Sequence, residues 1–591
     1  ELRRFLQAQL PAYLVPAALL ALPALPLTAS GKLDRRALPP PVWATGQLVL
    51  PASATEDALL AIWESVLGRN GISTTDNFFD IGGNSLKAVR ILARVQEQLG
   101  RQLGLAVFFQ HPSVQVFASV IDQTPAAPVS TIAPVAPAPR YAVSRAQKRL
   151  WIMDQLEVER AAYNIIGAYE LPAHLDAAAL AEAVRRLVAR HEILRTYFIE
   201  EDGQPYQHLA PADQSPVALA LTPVADAADF DAAVRRALQA EEQHEFNLDQ
   251  LPLLRLRLLS ASGRHVLLLN LHHIVGDGWS VQQLLQELAA HYAAASQQGP
   301  TLPALPMQYK DYAAWHNQLL TGEAAQRAEH YWLAKLDAAP ERPELPLDFA
   351  RTLVRSYASA TLPFELEPAL ATGLRALCQA GDASLFMGLQ ALVKAWLTLY
   401  LPGDLTVGTT TAGRELPELA AQIGCYVNVL ALHTSRASVT DFTGLLAAVR
   451  QDTLAAFEHQ HYPFDLLVEK LQLRRDLSRN LLFDVMLTYL DGFELADEDD
   501  GATGLRFDDW QHNGPERFNK YDLTLAFQSL PSGAIAVELT YSTDLFRASS
   551  AAGFGDDLLA LARRVVQEPR QALRPAAAPQ PLAVSLADDF A

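Results

Sequence analysis

The spacing of apolar residues changes character along the chain. Between residues 54 and 122 it is helical. In EDALLAIWESVL, Leu59, Leu60, Ile62, Trp63, Val66 and Leu67 fall on one helix face, and in SLKAVRILARVQEQLG, Leu86, Val89, Leu92, Val95 and Leu99 recur at intervals of three and four. The DNFFDIGGNS between them is full of turn formers. This stretch predicts a small bundle of four helices. Beyond residue 140 two patterns alternate. Amphipathic helical segments (AAALAEAVRRLVARHEIL, VQQLLQELAAHYAAA, FMGLQALVKAWLTLY) are interleaved with apolar strands (HVLLLNLHH, DLTVGTT, LLFDVMLTYL). That alternation predicts an α/β domain over 141–568. Its size suggests two lobes, an N-lobe over 141–305 and a C-lobe over 306–568.

The joints show in composition. TPAAPVSTIAPVAPAPR (124–140) holds five prolines and almost no charge. It reads as a semi-rigid polyproline spacer over 123–140, able to bridge roughly 50 Å at about 3.1 Å per residue. PPPVWATGQLVLPAS (39–53) is a weaker boundary, and a Pro/Ala-rich segment over 569–591 reads as an outgoing linker. The apolar PAYLVPAALLALPALPL (11–27) raises a membrane question, but Pro11, Pro16, Pro23 and Pro26 would break a spanning helix repeatedly, so it reads as buried short strands and turns.

Charge narrows the function classes. Lys and Arg number 47 against 66 Asp and Glu, a formal net charge of −19. An acidic chain is poorly matched to a nucleic-acid groove or an anionic membrane. Only Cys378 and Cys425 are present, which argues against a disulfide framework and fits a cytoplasmic protein. The chain begins at Glu1 with no secretory pattern, as expected of a piece of something longer.

Two stretches carry candidate chemistry. In GGNSL, Ser85 sits where a loop ends and a helix begins. On position alone it suits an N-cap, and the alternative is a phosphate ester lodged at the positive end of a helix. In NLHHIVGDGWS, adjacent histidines end an apolar strand. Successive strand side chains face opposite sides, so one of His272 and His273 faces a cavity and the other packs into the body. No third ligand at zinc spacing accompanies them. Ser280 can cap the helix that follows.

DNFFDIGGNSLKAVRI is very similar to the attachment motif of the peptidyl carrier proteins of nonribosomal peptide synthetases. The resemblance implies a 4′-phosphopantetheine arm on Ser85, installed by a phosphopantetheinyl transferase, whose thiol holds the growing peptide. LPLTASGKLDRRALP resembles the C-terminal end of an adenylation domain over 1–40, with Lys32 at the position that contacts the acyl-adenylate. The nucleotide and amino-acid sites of that family lie in an upstream portion absent from this sequence, so adenylation is not expected.

HHIVGDG fits the HHxxxDG motif of the condensation-domain superfamily, a fused pair of chloramphenicol-acetyltransferase-like lobes. SRAQKRLWIMDQ, RHEILRTYF, YKDYAAW, IGCYVNVL, HQHYPFD and RDLSRNLLF resemble its other motifs in order. Gly276 stands where serine or alanine is commoner, and Leu481 where proline is usual. The resemblance implies that His273 faces a tunnel and serves amide formation, with His272 as support. It also places Asp277, Gly278 and Arg414 around the histidines, Asp277 and Arg414 as structural support. An Asp277–Arg414 pair of bidentate geometry is expected to tie the C-lobe to the loop.

The expected partners are upstream adenylation and condensation domains and a downstream carrier bearing the acceptor amine. SRAQKRLWIMDQ and EFNLDQLPLLRLRLL further resemble the subtype that takes an L-configured donor. An epimerase shares the fold and HHxxxDG, but SRAQKRLW and RHEILRTYF favour condensation. A catalytically inactive recruitment domain would be favoured by loss of His273 or Asp277, and both are present. A free coenzyme-A acyltransferase fits least, since a carrier is already attached.

Overall fold

The computed structural model describes residues 49–573, apart from 79–80, 82, 84, 102, 126–131, 157–159, 226, 297–298, 338–343, 438, 474–475, 477, 490–504 and 511–518. The adenylation-like segment with Lys32, the apolar stretch 11–27 and residues 574–591 lie outside the described residues.

Four helices, Ala54–Leu67, Ser85–Leu99, Leu105–Gln110 and Val114–Gln123, make the first unit. Ser53 caps the first by accepting from the Glu56 N–H, and Gly68 ends it in the left-handed region at φ 66°. The helices close on an aromatic core. Trp63 meets Phe78 at 5.0 Å, Phe78 meets Phe108 at 4.8 Å, and Phe108 meets Phe117 at 5.0 Å, all edge-to-face. Gly83 is required here, because a Cβ at that position would lie 2.5 Å from the Phe78 ring. The chain therefore runs flat against Phe78 just before the helix headed by Ser85.

The second unit holds three sheets. A five-stranded sheet orders Asp508–Asp509, Asn164–Leu171, Arg264–His272, Leu254–Ala261 and Leu219–Pro223. Its central strand is buried from Val266 to His272, with apolar residues on both faces. Leu267, Leu269 and Leu271 join the core under helices Ala177–Arg190 and Gly278–Ala295, while Val266 and Leu268 pack with Phe230, Val234 and Trp510 on the other side. Two covered faces explain why VLLLNL reads as a continuous apolar run, not an alternating one. A six-stranded sheet orders Asn428–Thr434, Leu405–Thr411, Val485–Tyr489, Leu523–Ser529, Ile535–Ser542 and Ser359–Leu366. Helices including Leu385–Leu397, Phe442–Glu458 and Ala548–Gln567 cover it. A small sheet joins Tyr141–Ala142, Gln204–Leu209 and Thr196–Glu201. The lobes are not independent: Asp508–Asp509, far along the chain, pairs antiparallel with Asn164–Leu171 at the edge of the first sheet.

The proline-rich joint departs from the semi-rigid solvated spacer expected of it. Its described second half lies on the second unit: Ile132 is buried, and the Val135 N–H donates to Asp311 Oδ1 at 2.8 Å. One apolar side chain and one anchored amide suffice to dock an extended segment whose composition alone suggests a solvated rod. Likewise the start of the outgoing segment folds back, with the Leu573 N–H donating to the Thr440 carbonyl at 3.0 Å. Among the described residues no single helix is long and apolar enough to cross a membrane.

Candidate active site

Register fixes the first histidine. In the pairing of Asn164–Leu171 with Arg264–His272, Asn164 stands opposite His272. His272 is buried, its Nδ1 accepts from the Ile274 N–H at 3.1 Å, and its ring meets Phe246 edge-on at 5.9 Å. Burial, with His273 and Lys520 nearby, pushes its pKa down to about 3, so it packs as a neutral ring. His273 does not continue the strand. It opens a tight turn, His273–Val275, so its direction is set by that turn and not by strand alternation.

The His273 ring is only partly buried at the start of this turn. Burial, then the positive charges of Lys520 and Arg149, hold this imidazole well below the ordinary histidine range, although Asp277 opposes them. Lys520 reaches this place from the C-lobe: its ammonium lies 4.3 Å over the ring of Tyr163, the residue just before Asn164. The Cys425 Sγ lies 3.8 Å from His273 Nδ1, and burial pushes that thiol up to about 12, so it stays protonated.

The loop behind His273 is clamped. Asp277, not Ser280, caps helix Gly278–Ala295: its Oδ1 accepts from the Ser280 N–H at 2.8 Å and the Ser280 hydroxyl at 2.6 Å. Ser280 sits three residues further in, fully buried, because the shorter reach to the helix end belongs to Asp277. Ser280 Oγ in turn accepts from the Gly424 N–H at 3.0 Å and from Arg414 at 3.0 Å. Asp277 Oδ2 accepts from the Tyr426 N–H at 3.0 Å.

Arg414 and Asp277 come together from positions far apart in sequence, at 3.2 Å, both buried. The contact is single, not bidentate. One guanidinium nitrogen serves Asp277 and Ser280, and another donates to the Leu419 and Gln422 carbonyls at 2.5 and 2.7 Å. A guanidinium pressed 4.1 Å over the Tyr426 ring offers its fork to the carbonyls of its own loop first. Burial raises the Asp277 pKa, but Arg414 and the donors from Ser280 and Tyr426 outweigh it and keep the carboxylate ionised.

Two glycines shape the loop. A Cβ at Gly276 would lie 2.4 Å from Leu271, so here the leucine occupies the space a serine or alanine would need. Gly278 faces open space and is exposed, a gap in the wall beside the histidine. A cavity of about 340 Å³ adjoins this clamp, lined among others by Arg149, His316, Glu415, Tyr426, His461 and Asp465. Ser280 was singled out from sequence only as a helix cap, and Cys425, Tyr426, Arg149 and Lys520 were not singled out as parts of the site. Ser280 and Tyr426 lie within or beside motif stretches, which was the available signal, whereas nothing local marks Lys520.

The four-helix unit lies against this region. Arg90, in the helix that Ser85 heads, stands 5.9 Å from the Trp279 ring centroid, and Phe109 meets Phe457 of the C-lobe at 6.2 Å.

A two-lobed α/β enzyme fold with a neutral histidine at the lobe junction, joined to a four-helix carrier, defines an acyl-transfer unit. The family models agree: the condensation domain matches residues 138–581, and the phosphopantetheine attachment site matches residues 57–121. The chain belongs to the condensation-domain family and is a carrier–condensation fragment of the nonribosomal peptide synthetase type. Its condensation domain is an amide-bond-forming acyltransferase, and its carrier takes 4′-phosphopantetheine.

Among curated relatives it is 36% identical over 579 residues to a plipastatin synthase protein of Bacillus subtilis (strain 168), covering 97% of this chain and 22% of that protein. It is 36% identical over 583 residues to tyrocidine synthase 3 of Brevibacillus parabrevis, covering 97% and 9%. The chain thus spans about a fifth or less of the length of these relatives. Among solved structures, the X-domain from teicoplanin biosynthesis matches with TM-score 0.67 at 26% identity, covering 76% of this chain and 99% of that one. The first condensation domain of the calcium-dependent antibiotic synthetase, in complex with a substrate analogue, shares the fold with TM-score 0.59 at 20% identity, covering 74% and 98%.

Proposed function

We propose that Ser85 carries the phosphopantetheine arm, that this arm delivers a peptidyl or aminoacyl thioester, and that His273 serves its transfer to the amine of an acceptor held on a downstream carrier. The observation that carries the reading is a neutral imidazole on a loop clamped at the lobe junction, beside the helix headed by Ser85. When bound, the arm supplies an acyl carbon activated as a thioester.

With an acyl group presented on that arm, His273 would take the proton that the acceptor nitrogen gives up as the amide forms and return it to the departing thiol, so the imidazole is restored and no ATP is consumed. Lys520 and Arg149, whose charges act on His273, would favour negative charge developing beside it. Asp277 and Arg414 hold the loop and take no proton. Gly278 leaves room for the reactants.

The test is intact mass before and after treatment with a phosphopantetheinyl transferase and coenzyme A. Wild type gains the mass of one arm, and Ser85→Ala folds normally and gains none. An arm on the alanine variant would overturn the assignment.

The donor's terminal residue is L-configured in this reading, supported by SRAQKRLWIMDQ and EFNLDQLPLLRLRLL. Carriers loaded with matched L- and D-ending donors should condense the L form faster, and faster turnover of the D form would reverse the assignment. The X-domain likeness, including a solved complex of that domain with OxyB, keeps a recruitment role as the competing reading. An intact His273 with its clamp favours catalysis. The upstream neighbours are proposed to be the adenylation and condensation domains of the same assembly line.

A further inference from the structure

Trp279 is shared by two guanidinium groups. Arg414 of the C-lobe lies 5.5 Å from its ring centroid, and Arg90 of the carrier lies 5.9 Å from it. Both are within the range at which a cation is drawn to an indole face. The ring is not free to move: Trp279 is only 8% exposed, and its indole N–H donates to the Ala420 carbonyl at 3.0 Å. It also stands two residues past Asp277, in the first turn of the helix that Asp277 caps.

The carrier touches the same assembly a second time. The helix Ser85–Leu99 packs against the turn Pro417–Leu419, and the Leu419 carbonyl is one of the acceptors that hold Arg414. Arg90 is exposed, and partial burial, then Arg94 nearby, lower its pKa. The Trp279 ring is an aromatic face within cation–π range of it. The chain of contacts therefore runs from Arg90 through Trp279 to Arg414, and from Arg414 to Asp277, which anchors the loop bearing His273.

We infer that Trp279 is a positioning residue through which this chain's own carrier, once docked by Arg90, steadies the Arg414–Asp277 clamp and so aligns His273. The inference rests on the reading of Ser85 and His273 given above. In this view the loop is best ordered when the carrier is seated, and a donor that arrives while the carrier is unseated meets a less well-aligned imidazole.

The test uses the full chain. The donor is offered in two ways, on the arm of the loaded carrier, or as the free aminoacyl-pantetheine thioester to a chain blocked by Ser85→Ala, with the same acceptor amine. The blocked carrier still docks through Arg90, so Arg90→Ala should lower the free-donor rate as well as the carrier-delivered rate, the free-donor rate by about 3- to 30-fold, the range expected for losing one cation–π contact. Arg90→Lys should recover part of the loss. Trp279→Phe, which keeps a ring, guards against misfolding. Trp279→Leu should lower both rates and make Arg90→Ala silent when the two are combined.

An unchanged free-donor rate in Arg90→Ala, or fully additive losses with Trp279→Leu, would overturn the inference. So would a loss confined to the extent of arm loading. Failure of the underlying reading looks different: wild type would gain no arm, or would form no amide from either donor.

Discussion

Alanine in place of His273 lowers amide formation by about 10²–10⁴-fold, the range for one proton-transfer group, while loading of the donor on Ser85 stays intact. Single-turnover amide formation and intact mass of the loaded carrier measure the two quantities separately. The reason lies in which proton is difficult. An α-amino group titrates near 7.7–8.0, so a useful fraction of acceptor is neutral without help, and the proton that must be removed is the one on the nitrogen of the tetrahedral adduct. His273 is suited to take it because burial and the charges of Lys520 and Arg149 keep it unprotonated well below the ordinary histidine range.

That depression has a sign that the pH profile reads. A histidine with an ordinary pKa would switch off the reaction as pH falls through about 6.5. Here the imidazole is already neutral at that pH, so the wild-type rate should follow only the acceptor amine, rising toward pH 8 with no second step near 6.5. A loss under tenfold in His273→Ala would move the proton transfer to another group, and a step near 6.5 would contradict the neutral ring. His272→Ala serves as the control: it removes an acceptor for the Ile274 N–H and the ring against Phe246, so it should chiefly reduce stability. The larger activity loss at His272 would reverse the two roles.

Much of this site was legible because its parts are local. The spacing of Leu59, Trp63, Val95 and Leu99 is enough to specify carrier helices, and a histidine pair ending an apolar strand is visible in eleven letters. Local rules failed where a tertiary contact decides. Strand alternation describes His272, but His273 turns out of the strand into a tight turn. Ser280 has the right residue type for a cap, yet Asp277 takes that place and Ser280 becomes the buried point where Asp277, Arg414 and the Gly424 N–H converge. The polyproline joint reads as solvated, but Ile132 finds a core to enter and Asp311 anchors its backbone. Lys520 illustrates the limit best. It reaches His273 only because a C-lobe segment folds back over Tyr163, an event with no trace in local spacing.

Asp277→Ala and Arg414→Ala should each cost about 3–5 kcal/mol of stability, because each strands a buried charge. The double variant should lose less than the sum, since neither charge remains. The two singles differ in what they leave behind. Without Asp277, Arg414 keeps the Leu419 and Gln422 carbonyls and the Tyr426 ring, so its charge is partly satisfied. Without Arg414, Asp277 keeps only neutral donors, the Ser280 N–H and hydroxyl and the Tyr426 N–H. Burial then dominates its titration and raises its pKa above the unfolded value. The stability lost in Arg414→Ala should therefore shrink as pH falls and the stranded carboxylate takes up a proton. In wild type the sign is opposite: the Asp277 pKa is held low, so its contribution is full at neutral pH and is lost only on strong acidification. Thermal melts of the two singles and the double at pH 7 and pH 5 read both effects. Strictly additive losses would mean the pair does not act as a unit. A pH-independent loss in Arg414→Ala would mean that water reaches Asp277, and that the clamp beside His273 is held by hydrogen bonds rather than by charge.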